Sequence, residues 1–530
     1  MFEWDPHNRR FVTRPCCPYP DCGQPVEPAH DERVFCWCKH CERPYESTLL
    51  RPADAGPPVE WTRRPESAFC TFTGTPLVDS SPLDWAEAGG GPGRSSCLDD
   101  PRGNAFGTPR TELHFSLHDL DRQGWTVPTI IPEEGEDDSD AVAALAVLRG
   151  RLLAITQRGR MALLDPQTGT LLDKRPLVWP SFPPPDLSWP VEHPPAARGN
   201  HILLTSPREA QFRDLTAQLF PGIPQRGQPY ALVKPAQPGA RFLGPPLGID
   251  TDPPMFCLLE GIAGLRTVES PLLRFFDLQG HELGRCTAPG IARPPTYDAR
   301  SDNVVWVTSD GFACALPSDQ CKHLEGASPK DLFSDDILDL DVSARPTAVL
   351  APDLAGETEL WVADVHVDTG DLSVFKASLD QALAHGELRW TRQRLGKRGD
   401  LVAMAVGRGP GHRANAAAQV MAVATDHGVF SFPKATSDAM EYDAARGFQG
   451  ADRRGSWDIP IITSAGVIAR VPGAMHLLSR GMGWAEHAGS LLPLPVRYAG
   501  VQGMAIFGRR VFVGVGLGVR CFVMEPEEVS

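Results

Sequence analysis

From residue 152 onward the apolar positions come in paired short runs, with a polar hinge between them. LLAITQRGRMALLD (152–165), VVWVTSDGFACALP (304–317) and VMAVATDHGVFSFP (420–433) share one outline. The first run ends on Thr156, Thr308 or Thr425. Gly159, Gly311 or Gly428 follows three residues later, and a second run begins beyond it. LWVADVHVDTGDLSVF (360–375) and VFVGVGLGVRCFVM (511–524) are divergent copies, the latter with Gly518 at the glycine position. Short apolar runs with β-branched residues read as strands. A glycine in the intervening loop permits the positive φ that a tight reversal needs. Each copy is therefore a predicted β-hairpin. Met161 and Leu163, or Phe430 and Phe432, mark alternate positions on the returning strand, and DPQTG (165–169) supplies the next turn of the first copy.

The glycine spacing counts the units. Gly159 to Gly311 is 152 residues, Gly311 to Gly428 is 117, and Gly428 to Gly518 is 90. Repeats of roughly 50 residues divide these spans into three, two and two, with eight units in all; stretching each unit to about 60 gives seven. Hairpins in series, without helical crossovers, do not build a parallel α/β sheet. Closing them into a ring removes exposed edges. The copies resemble the β-propeller superfamily, in the style of quinoprotein-like and WD-type repeats, over about residues 110–526. RLLAITQRGRMALLDPQTGTLL is the copy most like it. Neither the GH…WD signature nor the tryptophan-docking repeat recurs regularly, so no subfamily is assigned. The resemblance implies an all-β body, a seven- to eight-bladed β-propeller over residues 111–530. AGVQGMAIFGRRVFVGVGLGVRCFVME offers three closing strands, and ELHFSLHDL (112–120) is the expected fourth.

Two proline-rich stretches, 180–198 and 221–240, are expected to be loops on one rim, because proline is excluded from central strands. Trp179, Phe182, Trp189 and Tyr230 lie in or beside them, as rim packing or as partner contacts. DLFSDDILDLD (331–341) reads as a short helix or an acidic loop. EEGEDDSD (133–140) reads as a solvated loop. Residues 52–110, rich in turn formers, read as a linker.

Residues 1–51 follow another pattern. Six of the 13 cysteines fall before residue 42. Cys17 and Cys22 form a C-x4-C knuckle, and Cys38 and Cys41 a C-x2-C knuckle. Each knuckle is a tight turn aiming two thiolates at one point. Four thiolates at about 2.3 Å make a closed tetrahedral zinc shell. Such a metal replaces the core that about forty residues do not build. Residues 12–48 resemble the zinc-ribbon family, which implies a structural Zn2+ held by Cys17, Cys22, Cys38 and Cys41. Cys16 and Cys36 are surplus, and either could replace a neighbour; His30 and His40 are outside candidates.

Charge narrows the partners. A formal charge of −15 and a pI near 5.5 oppose sequence-independent attraction to nucleic acid or anionic membrane. Residues 1–51 carry seven Lys+Arg against eight acids, which is no footprint for DNA or RNA. The most apolar stretch, AVAALAVLRGRLLAI (141–155), is broken by Arg149, Gly150 and Arg151, short of the ~18–20 residues of a membrane span. The start, MFEWDPHNRRF, has no signal-peptide core, so a cytoplasmic setting with reduced thiols is expected.

Catalytic motifs such as G-x-S-x-G, H-E-x-x-H and G-x4-G-K-[ST] do not occur. His427 reads as a turn residue. HELGR (281–285) lacks a second histidine on one helical face. No catalytic residue and no organic cofactor site is assigned. A quinone-dependent dehydrogenase would carry its vicinal cysteine pair within the propeller, whereas Cys16-Cys17 lies in the ribbon. The reading is a non-catalytic interaction scaffold or adaptor in a bacterial multi-protein assembly, with other proteins as partners, an ATPase or signalling component among them. Two alternatives remain open. A hydrolase or lyase would cluster Asp, Glu, His or Arg in the propeller funnel. A nucleic-acid-associated factor would bind through the ribbon with Trp4, Tyr19 or Trp37 exposed.

Overall fold

The computed structural model describes short strands within residues 2–46 and 115–127. It then describes, with short interruptions, residues 142–172, 190–219, 230–264, 268–322, 329–353, 357–433, 459–486 and 503–526. Strands dominate. The helices among the described residues are short, and Leu379–His385 is the longest of them.

From residue 142 the described residues form eight antiparallel sheets in sequence order, numbered I to VIII here. Sheet I holds Val142–Leu148, Arg151–Thr156 and Met161–Leu164. Sheet II runs from Ala196–Arg198 to Tyr230–Val233, and sheet III from Arg241–Phe242 to Glu282–Thr287. Sheet IV spans Thr296–Asp298 to Lys330–Leu332, and sheet V Ala348–Pro352 to Thr391–Lys397. Sheet VI comprises Leu401–Pro410, Ala417–Thr425 and Gly428–Pro433. Sheet VII runs from Ile461–Thr463 to Gly483–Glu486, and sheet VIII contains Met504–Phe507, Arg510–Val515 and Gly518–Pro526.

The repeated Thr-x-x-Gly is the hairpin between the second and third strands. In sheet I the Gly159 N–H donates to the Thr156 carbonyl at 2.9 Å, and the Thr156 N–H donates to the Arg160 carbonyl at 2.8 Å. In sheet IV the Gly311 N–H reaches the Thr308 carbonyl at 3.0 Å, and the Thr308 N–H reaches the Phe312 carbonyl at 2.8 Å. Both glycines turn the loop in the left-handed region, at φ 78° and 88°. The Arg149–Gly150 break in the 141–155 stretch is likewise a hairpin turn, with φ 52° and 65°.

The inner strands of sheets I to V are more uniformly apolar than an amphipathic strand because both of their faces are buried. In Asn303–Val307, Val304 and Trp306 pack with sheet III, while Val305 and Val307 pack with sheet V. Equivalent cores join sheets I and II, II and III, and V and VI. A core of sheets I and VIII also takes in Ile461 of sheet VII. The first strands of sheets VI and VII touch, and Ala474–Ser479 of sheet VII lies beside Phe115–His118. Every sheet thus meets the next, and the last meets the first.

The ring is fastened by chain from the other end. Phe115–His118 pairs antiparallel with Gly518–Pro526, in the register Leu117↔Met524, and Trp125–Val127 pairs with the same strand further along. The expected 112–120 strand therefore completes sheet VIII. Meander sheets packed face to face in a closed series are the architecture of a β-propeller.

Two expectations are refined. The 331–341 stretch begins as the outer strand of sheet IV, and its described residues from 338 are irregular chain in which apolar Leu338 and Leu340 are buried. The proline-rich stretches are not wholly loop: Ala196–Arg198 and Tyr230–Val233 are strands, formed where proline is missing. Trp179, Phe182 and Trp189 lie outside the described residues.

Candidate functional site

Of the expected zinc ligands, Cys38 ends the strand Phe35–Cys38, paired with Arg43 in a hairpin with Arg43–Glu46. Cys17, Cys22 and Cys41 lie outside the described residues, as do Cys16, His30, His40 and Tyr19. Cys36 and Trp37 sit on the same strand, opposite Tyr45 and Pro44, and Trp4 pairs with Phe11 in the first hairpin. Among the described residues no group of three or more His, Cys, Asp or Glu could hold a metal ion.

Cys257, Cys286, Cys314 and Cys321 share the core between sheets III and IV, and no disulfide joins them. Burial pushes the Cys286 thiol up. Burial, then the hydrogen bond to Asp331, pushes Cys314 up to about 12. Thiols held protonated in this way are inert packing groups.

The ionisable groups inside the ring tie one sheet to the next. Arg198 ends the first strand of sheet II and is 1% exposed. Its guanidinium donates to the Gly248 carbonyl at 2.8 Å and meets the Asp250 carboxylate at 2.6 Å, both on sheet III. A Cβ on Gly248 would stand 2.3 Å from the Arg198 Cζ, so glycine is what admits the arginine. Tyr297 of sheet IV then donates to Asp302 at 2.7 Å and to the Asp250 carbonyl at 3.3 Å. Burial, reinforced by the Asp302 bond, raises the Tyr297 phenol.

A second tie joins sheets IV and V. Arg293, in the approach to sheet IV, donates to the carbonyls of Ala292, Asp341 and Ala363 and to the Asp364 carboxylate. Burial works against both charges, pushing Asp364 up and Arg293 down, and their attraction opposes the shift in each. The arginine keeps its proton. Glu359 is the hub between sheets V and VI. It accepts from Lys376 at 3.2 Å, Trp361 at 3.1 Å and Gln419 at 2.6 Å. Sheet III holds a third cluster, in which Arg274 bridges Glu260 at 3.1 Å and Glu282 at 2.6 Å while Glu260 also accepts the Ala236 N–H that follows sheet II.

The repeat glycines also serve between sheets. The Gly159 carbonyl accepts from Arg213 of sheet II at 2.5 Å, and the Gly311 carbonyl accepts from the Trp390 indole of sheet V at 2.8 Å. None of these arginine and carboxylate positions stands out as a motif. The tripeptide Ala-Arg-Pro occurs at 292–294 and 344–346, yet Arg345 is exposed where Arg293 is buried.

On the outer surface the largest apolar exposure among the described residues is Phe333, at 58%. It stacks edge to face with Phe312, ring centroids 5.7 Å apart.

No protein-family model and no curated protein sequence matches the chain. Among solved structures it is similar to a quinohemoprotein alcohol dehydrogenase from Pseudomonas putida, with 11% identity, TM-score 0.48, and coverage of 85% of this chain and 82% of that one. The quinohemoprotein alcohol dehydrogenase from Comamonas testosteroni matches with 11% identity, TM-score 0.44, and coverage of 83% and 80%. BamB from Moraxella catarrhalis matches with 12% identity, TM-score 0.41, and coverage of 77% and 100%.

Proposed function

We propose that this chain is a non-catalytic scaffold: an eight-bladed closed β-propeller over 111–530, preceded by a linker over 52–110 and a zinc ribbon over 1–51. The observation that carries this reading is the commitment of the buried ionisable groups to one another. Arg198 with Asp250, Arg293 with Asp364, and Arg274 with Glu260 each spend their charges on structural contacts. Such ties stiffen a disc and leave its loops and outer strands as the working surface. Zinc on Cys17, Cys22, Cys38 and Cys41 would hold the small module, and the Cys38–Arg43 hairpin pairing suits a knuckle whose second thiolate is Cys41. Two weak contacts on one chain raise avidity through effective concentration when the linker spans them. Net charge −15 favours partners with basic patches, in a cytoplasmic bacterial assembly that includes an ATPase or signalling component.

The test is a crosslinked capture from source cells using the intact chain and a chain lacking residues 1–51, read with the zinc content of both. One partner at fixed stoichiometry on the intact chain, weakened by the deletion, supports the reading, as does one zinc per intact chain. Turnover of a small molecule by a partner-free preparation would overturn it.

A further inference from the structure

The outer strand of sheet IV presents an aromatic pair in an acidic setting. Lys330–Leu332 pairs with Ala313–Pro317 in the register Ala313↔Leu332 and Cys314↔Asp331, so Phe312 and Phe333 stand at the next step of the ladder. Leu332 is buried against sheet V, while Asp331 and Phe333 are exposed. Phe333 is held rigidly all the same. Its N–H donates to the Gly386 carbonyl at 3.1 Å, and its carbonyl accepts from Leu388 at 2.6 Å. A ring left 58% exposed on a pinned backbone is apolar surface that folding has not used. A fixed aromatic anchor costs little ordering when a partner covers it.

Acidic groups outnumber basic ones around it. Asp310, Asp331 and Asp339 are exposed. Asp331 accepts from the Cys314 thiol at 3.4 Å, and the Leu338 N–H donates to the Asp310 carbonyl, so the chain segments bearing the three aspartates meet at this end of sheet IV. Arg389 is offset by its ion pair with Glu387, and the Lys330 ammonium, tied to the Leu383 carbonyl, leaves the three aspartates in excess.

We propose that the Phe312–Phe333 pair, with Asp310 and Asp331, docks a partner protein segment that carries arginine or lysine beside an apolar side chain. The apolar group covers the Phe333 ring, and the cations meet the carboxylates; arginine also stacks on an exposed phenyl face. This inference rests on the scaffold reading and names the chemistry of one of its contacts.

The test uses the full chain and fluorescence anisotropy with two labelled peptides, one alternating arginine with leucine and one alternating glutamate with leucine. The arginine peptide is expected to bind and the glutamate peptide not. Phe333→Ser, a surface change, should weaken binding about 30-fold, the loss expected at a hot spot. Asp310→Asn with Asp331→Asn should weaken it and flatten its salt dependence. Leu232→Ser, which removes another exposed apolar side chain, should change nothing. No binding, equal binding by Phe333→Ser, or an equal loss in Leu232→Ser overturns the proposal. If the cellular partner is captured equally by intact and Phe333→Ser chains, the scaffold reading stands and this contact falls.

Discussion

Trp390 of sheet V donates its indole N–H to the carbonyl of Gly311, 2.8 Å away in the hairpin of sheet IV. The same glycine lies against Leu338, whose Cγ would stand 2.5 Å from an added Cβ. One residue thereby serves three needs: a left-handed turn, a close approach, and an acceptor for the next sheet.

Replacing Gly311 with alanine should cost about 1–3 kcal/mol, since the left-handed backbone and the clash act together. Trp390→Phe leaves the carbonyl without its donor, again at about 1–3 kcal/mol. The double variant should lose less than the sum, because both changes disturb one contact. Denaturant unfolding of the four chains measures the coupling; strict additivity would separate the two residues.

Arg293 and Asp364 make the second test. Asp364→Asn should destabilise the chain by about 3–5 kcal/mol, because Arg293 keeps its charge in a dry setting. Arg293→Met strands the aspartate instead. Burial already pushes Asp364 above its ordinary value, and removing the arginine raises it further. A carboxyl with a raised folded pKa stabilises the fold below its unfolded value of about 3.9, and that stability is lost as pH rises through the folded value. The stability gap between Arg293→Met and the parent should therefore narrow on acidification. A gap independent of pH would mean that the carboxylate is solvated.

His201 sets an opposite slope. Burial lowers its pKa, while Asp214, at 3.9 Å, and Asp277 pull it back up. The unfolded chain takes up its proton near pH 6.5, and the folded chain only at lower pH. The neutral ring thus contributes stability above pH 6.5 that is lost as pH falls from there toward the folded value. His201→Asn should flatten this part of the stability profile relative to the parent. Identical profiles from pH 7 to 5 would remove His201 from the account.

Ring closure separates the two ends of the N-terminal region. Deleting residues 1–51 should leave the melting of the body unchanged. Deleting residues 1–127 removes both strands that pair with Gly518–Pro526 and exposes a sheet edge, so melting should fall and association rise. Calorimetry with light scattering distinguishes the outcomes. A normal melt for the longer deletion would show that closure does not depend on that strand.

Much of the architecture was written in local pattern. Thr-x-x-Gly between apolar runs fixes a hairpin through bonds inside the loop, so it reads the same in any context. Spacing between the glycines then yields seven or eight such units in series, and the described residues form successive antiparallel sheets. Even the closing strand was legible, because an isolated apolar run near 115 has no partner close in sequence. The 331–341 stretch was legible in part: beyond Phe333 its described residues are irregular, as a loop reading expects, but its start is an outer strand, and Leu332, Leu338 and Leu340 are buried in the core shared with sheet V.

The sequence by itself determined the repeated hairpins and their order, since those depend on residues a few positions apart. Only the tertiary structure decided which polar groups become ties. Arg293 and Arg345 both follow an alanine and precede a proline, yet one is buried on Asp364 and the other is exposed. Desolvation is the reason: an arginine turns inward only where a neighbouring sheet supplies enough acceptors to offset the loss of water, and that supply comes from chain 71 residues away.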